Sequence, residues 1–170
     1  MNASPRMSTI TPTILACAVA LALTAVSASA ADNDLRIIPQ VTAGTAGVEP
    51  GLAMEWRCYK WPSLILRPEV FVSEDGQIGA GGAVLYDISL GLELPKRQVV
   101  AVGPRVVYHN ADHYSWEADA MATWSYDLVG GTRAWQHAVG ILGAVGLAHD
   151  KEHDDNDLGA SAGVFYSYGF

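Results

Sequence analysis

Basic residues, cysteine and long apolar runs are what this 170-residue chain has little of. Ten Lys and Arg stand against 18 Asp and Glu, for a formal net charge of −8. A balance this acidic argues against nucleic acid as a partner, because no basic stripe is available to neutralise phosphates. Of the two cysteines, Cys17 lies in the N-terminal segment, which leaves Cys58 alone in the rest of the chain. An intrachain disulfide is therefore excluded there, and with it a small disulfide-stapled scaffold. No repeat of solenoid length, low-complexity tract or interdomain linker is visible. Beyond residue 30 no apolar run approaches the roughly 20 residues that a membrane-spanning helix needs.

What is present at the N-terminus has three parts. Arg6 is followed by an apolar run, Ile14 to Val26, and then by Ala28-Ser29-Ala30 ahead of Ala31-Asp32. This is the layout of a secretory signal peptide with a small-x-small cleavage site, and residues 1–30 are assigned to it. A spanning helix would need a longer run, a lipoprotein site at Ile14-Leu15-Ala16-Cys17 lacks an apolar stretch before the cysteine, and a start at Met7 changes neither point. Residues 31–170 then have the length of one domain.

The remaining hydrophobicity is spread over short alternating segments. In Tyr114 to Leu128, Tyr114, Trp116, Ala118, Ala120, Ala122, Trp124, Tyr126 and Leu128 share one face, while Ser115, Glu117, Asp119, Met121, Thr123, Ser125 and Asp127 share the other. Strict alternation over that length has the period of a strand. The same reading along the chain predicts eight strands: 35–43, 46–58, 61–73, 77–94, 98–110, 114–128, 133–150 and 157–170. Turn chemistry separates them, with Glu74-Asp75-Gly76 as a three-residue hairpin loop, Pro95-Lys96-Arg97 and Val129-Gly130-Gly131-Thr132 as tight connections, and Gly44-Thr45 tighter still.

Alternation alone does not say which solvent each face meets. A soluble sandwich would bury the apolar rows and wet the charges. Several of these segments, however, are ten residues or longer, the length at which a tilted strand crosses a bilayer. Aromatics also gather at the ends of the apolar rows: Tyr108, Tyr114 and Trp116 at one rim, and Trp56, Trp124, Tyr126, Trp135, Tyr166, Tyr168 and Phe170 at the other. That is the pattern of two aromatic girdles around an apolar band. The fold expected is all-β, an eight-stranded antiparallel up-and-down transmembrane β-barrel, with polar residues inside.

The last segment, GASAGVFYSYGF, alternates and closes on Tyr166, Tyr168 and Phe170. It resembles the C-terminal targeting strand of bacterial outer-membrane β-barrels, and the strand number and mature length are similar to those of their small eight-stranded members. The resemblance implies a place in the bacterial outer membrane, recognition by the outer-membrane assembly machinery, both termini in the periplasm, and outer-membrane lipid and lipopolysaccharide as neighbours of a monomer. Short periplasmic turns and long outer loops are met only in part, because one outer loop alone, His149 to Asp157, reads as long.

Eight strands enclose a space that side chains fill. Arg105 falls opposite Glu117 or Asp119 on the inward row, and Arg67 and Glu69 share that row, so these five residues are expected to form a lumenal salt-bridge network; a polar conduit or a pair of catalytic carboxylates is the alternative. The outer loops carry His109, His113, His149, His153 and Asp154, a mixture of imidazole and carboxylate suited to a divalent cation such as zinc, nickel or copper, with a solvated acidic loop as the plain alternative and cation bridging to lipopolysaccharide phosphates as a third. His113-Tyr114-Ser115 resembles the His-x-Ser of outer-membrane lipid A deacylases, which implies a Ser115 nucleophile, a His113 base and Glu117, or else Asp119, as a substitute orienting acid. Trp116 departs from the Asn those enzymes carry next, and His113 and Ser115 point inward by parity. The function expected is that of a non-enzymatic surface or envelope protein with a plugged polar lumen, no resident cofactor and binding at the outer rim, and the alternative is a lipid A-modifying enzyme.

Overall fold

A computed structural model describes residues 33–45, 47–58, 60–73, 76–89, 98–109, 114–129, 137–150 and 153–169. Residues 1–32, His113, Trp135 and Phe170 lie outside them. The unit Asn33–Phe170 is all-β. Its strands are β1 (Asn33–Gly44), β2 (Gly47–Cys58), β3 (Leu64–Val72), β4 (Ile78–Asp87), β5 (Gln98–Tyr108), β6 (Tyr114–Asp127), β7 (His137–Asp150) and β8 (Asp155–Gly169). Each pairs antiparallel with the next, and β8 returns to β1 to close an eight-stranded up-and-down barrel.

The register sets the barrel's shape. Asp34 pairs with Arg57, Arg57 with Ile65 and Ile65 with Leu85; the β4–β5 register of Ala83↔Arg105 and Tyr86↔Val102 sets Leu85 level with Gly103; and the pairs from Gly103 through Met121, Ala144 and Ser161 lead back to β1 at Gly44, ten residues further along. With strand and residue spacings of standard size, that stagger tilts the strands by about 40° and carries a ten-residue strand through about 25 Å. The interior is then just wide enough for side chains to fill.

Parity decides what fills it. Along β5, Val99, Ala101, Arg105 and Val107 are buried, while Val102, Pro104, Val106 and Tyr108 are exposed. Along β6, Glu117, Asp119, Met121, Thr123, Ser125 and Asp127 are buried and the Ala and Trp residues between them are exposed. The interior is not uniformly polar. Ile38, Ile65, Leu85, Met121, Leu142 and Phe165 form an apolar cluster beside the charged groups. Two lumenal phenylalanines each lie over a glycine of the facing strand, Phe71 over Gly79 and Phe165 over Gly140, where any Cβ would overlap the ring. The ring supplies the packing that glycine lacks.

Two expected boundaries move. The strand read as 77–94 ends at Asp87, because its carboxylate accepts the Ser89 N–H at 2.9 Å and the Ser89 hydroxyl, turning the chain there. Across the stretch read as a long loop, His149 to Asp157, β7 ends at Asp150 as expected but β8 begins at Asp155 rather than 157, so the β7–β8 ladder runs on to Asp150↔Asp155. Backbone pairing holds these charged residues in a sheet although their side chains carry no apolar period. At the other hairpins, Gly76 takes the left-handed conformation (φ 74°) and Gly47 also has positive φ (97°), the geometry for which glycine is suited.

Mid-strand prolines mark the joins between hairpins. The ladders within β1–β2, β3–β4, β5–β6 and β7–β8 are continuous. Pairing is interrupted in β1–β8 between Ile37↔Tyr168 and Gln40↔Phe165, in β2–β3 between Ala53↔Glu69 and Trp56↔Leu66, and in β4–β5 between Ala83↔Arg105 and Tyr86↔Val102. Pro39, Pro68 and Pro104 occupy those gaps, each on the outward row and each lacking the N–H its neighbour would accept.

Replacing Gly140 by Val should force Phe165 off its site and destabilise the barrel by about 1–3 kcal/mol. Urea unfolding in lipid vesicles should show this as a lowered midpoint. Gly143→Ala is the control, since an added Cβ there would meet only the Ser161 carbonyl oxygen at 3.9 Å, and its midpoint should stay unchanged.

Candidate functional site: the lumenal charge network and the outer rim

The inward row of β1, β2, β3, β5 and β6 carries charge at neighbouring levels, and the closed sheet turns these side chains towards one another. Arg67 lies between β2 and β1: its Nη1 donates to Glu55 at 2.5 Å and its Nη2 to Gln40 Oε1 at 2.5 Å. The Gln40 amide passes the chain on, donating to Glu69 Oε2 at 2.9 Å. Arg105 then donates through Nε to Glu69 Oε1 at 2.5 Å and through Nη1 to Asp119 Oδ2 at 2.9 Å, with Glu117 at 3.7 Å. All five residues named from the sequence for a salt-bridge network, Arg67, Glu69, Arg105, Glu117 and Asp119, thus belong to one connected group. Arg36, 3.9 Å from Glu55, extends it, and Arg67 also lies over the Phe165 ring at 5.2 Å.

His109, read both as the end of strand 98–110 and as an outer-loop histidine, joins the network. It stands one residue beyond β5, and its N–H bonds the Ser115 carbonyl, so the ladder continues one step and the imidazole follows the inward row. Only 1% of the residue is exposed. Its Nδ1 faces Glu49 Oε1 at 3.2 Å, its Nε2 faces Glu117 Oε1 at 3.4 Å, and Phe71 packs beside the ring at a centroid distance of 5.0 Å. Burial by itself would disfavour the charged ring. The two carboxylates outweigh it and push the His109 pKa up to about 9. Each ring nitrogen has a carboxylate oxygen within 3.4 Å, close enough to attract charge although neither contact has the alignment of a hydrogen bond.

Near the opposite end of the barrel, Arg57 pairs with Asp87 at 2.7 Å and donates to the Pro62 carbonyl at 2.9 Å. Removing one member of such a buried group is expected to cost several kcal/mol, because the remaining charge is stranded.

Of the histidines expected at the outer rim, the described ones, His109, His149 and His153, do not share one site. His109 is inside the barrel. His149 is on the outward row, stacked on Trp116 with ring centroids 5.7 Å apart and 14° between planes, and 3.7 Å from Asp154. The barrel wall separates the two. His153 is exposed and bonds Asp150 at 2.6 Å. Among the described residues no group of three or more His, Cys, Asp or Glu is arranged to hold a metal ion. For the alternative enzyme, the Ser115 hydroxyl is buried without a hydrogen-bond partner, and Glu117 faces His109 and Arg105.

The His109 contacts have a pH signature. A pKa raised from the ordinary 6.5 to about 9 means that the charged ring stabilises the fold fully below pH 6.5 and loses that contribution as pH rises through 9. The urea midpoint should therefore fall across this window, and His109→Gln, which cannot titrate, should abolish the fall. An unaltered slope in the variant would assign it to other groups.

Compared with known proteins, the chain matches no family model, no curated protein and no solved structure.

Proposed function

We propose that this chain is an exported outer-membrane barrel protein, a monomeric and non-enzymatic component of the bacterial envelope whose interior is filled and whose outer rim carries its binding activity. The observation that carries the reading is the inversion of the barrel: guanidinium and carboxylate groups are buried inside, while Val106 (59% exposed), Ile141 (55%) and Val164 (61%) stand outward. In water, an apolar belt running round a closed barrel would be a severe liability. In lipid it is the expected outer surface, and closure leaves no unpaired sheet edge along the belt.

The ends of the outward rows support the same solvent. Trp56, Tyr86, Trp124, Tyr126, Tyr166 and Tyr168 lie towards the terminal end, and Tyr108 and Trp116 towards the other. These are positions for amphipathic rings at a bilayer's two boundaries. The N-terminal leader read from the sequence supplies a route of export, and the terminal strand supplies the segment that the assembly machinery would read.

Cell fractionation tests the proposal together with heat modifiability. The protein should co-sediment with outer membranes and migrate as a compact band on unboiled gels that shifts on boiling. Deleting Phe170 should reduce the membrane-inserted fraction severalfold. A soluble protein without a band shift would overturn the reading, and normal insertion after the deletion would remove the role given to the terminal residue.

A further inference from the structure

β1 stops short of the strand beside it. Its pairing with β8 ends at Gly44↔Ser161, and Thr45 adds the last contacts, donating its N–H to the Ala160 carbonyl at 3.0 Å and accepting the Ala160 N–H on its hydroxyl at 3.0 Å. β8 begins earlier, at Asp155. Asp155–Gly159 therefore has β7 along one side and no described strand along the other.

The directions of the backbone groups follow from the ladder. Ala160 aims its N–H and C=O towards β1, so Leu158 and Asn156, two and four residues earlier, aim theirs to the same side. The Asn156 N–H is taken by the Asp155 carboxylate at 2.7 Å. Among the described residues nothing pairs with the Leu158 N–H, the Leu158 carbonyl or the Asn156 carbonyl, which form a short free edge beyond Thr45.

The side chains along this edge divide by parity. Asp155 and Asp157 continue the inward row. Leu158 continues the outward row, is 75% exposed and lies opposite Leu147. An unpaired strand edge is a template for strand addition. A second copy would set its own Asp155 and Asp157 against these, an arrangement that like charges oppose. The complementary occupant has the opposite sign on one face and an apolar residue on the other.

We propose that Asp155–Gly159 is a strand-addition site for an extended cationic peptide in which basic and apolar residues alternate. Its basic residues lie over Asp155 and Asp157, its apolar residues cover Leu158 and Leu147, and its backbone pairs with Leu158 and Asn156. Asp150 and Asp154, at the turn of the same hairpin, add to the attraction at a distance. The site depends on the free edge and its two carboxylates, whichever solvent surrounds the barrel wall.

Calorimetric titration of the detergent-folded, full-length barrel with the blocked peptide Lys-Leu-Lys-Leu-Lys-Leu-Lys tests this, with the heat of peptide entering protein-free micelles subtracted. Saturable binding is expected, and no binding is expected for the counterpart with Glu in place of Lys. Leu158→Pro removes the edge donor while leaving the β7 ladder, because the lost N–H points to the free side. It should weaken binding up to about tenfold, the range of one hydrogen bond. Asp155→Asn with Asp157→Asn should weaken it further, and the unboiled-gel shift verifies that each variant remains a closed barrel. Absence of binding, equal binding of the acidic peptide, or unchanged affinity in a folded Leu158→Pro variant would overturn the proposal, the last by showing attraction of charge without strand pairing.

Discussion

The two-sided grip of Arg105, on Glu69 through Nε and on Asp119 through Nη1, is the interaction on which the interior depends. It joins β3, β5 and β6 across the lumen, and every other charged group of the network is reached from it: Glu69 leads through Gln40 to Arg67 and Glu55, and Glu117 leads to His109 and Glu49. A barrel of eight strands cannot keep water around such groups in quantity, so each must find a partner among the side chains opposite. Carboxylates outnumber guanidinium groups in this network, and the imidazolium of His109 offsets part of the excess at the end nearest the outer rim.

The wall obeys a different constraint. Every backbone group within the sheet needs a partner, and a closed barrel provides one for all strands unless proline intervenes. Here proline intervenes in three of the joins between hairpins and in none of the ladders within them. The barrel consists of four continuous hairpins with interrupted joins, and the prolines face outward, where their rings add to the apolar belt without taking lumenal space.

Much of the fold was legible because its signal is local and of period two. The alternation in β6 and β8 identifies both faces of those strands residue by residue, and opposing inward residues across the β5–β6 turn brings Arg105 to Glu117 or Asp119, of which the register selects Asp119. What was not legible depends on partners far along the chain. His109 stands at the end of a predicted strand and also among the expected loop histidines, and it is the pairing with Ser115 and the approach of Glu49 from β2 that make it a lumenal residue. The extended β7–β8 hairpin was hidden because Asp155, Asn156 and Asp157 carry no apolar period, and pairing with Ala148, His149 and Asp150 supplies the order instead. The proline gaps were equally hidden, since a missing N–H matters only once the neighbouring strand is known.

The central claim is that the barrel is inverted, with lipid against the apolar row and charge within. Its most direct measurement is paramagnetic broadening of methyl resonances in bilayer nanodiscs that carry a nitroxide on the lipid acyl chain. Val106, Val145 and Val164, on the outward row, should be strongly broadened, while Val107, Leu85 and Met121, buried on the inward row, should remain sharp. Equal broadening of the two sets, or sharp signals from the outward set, would contradict the account.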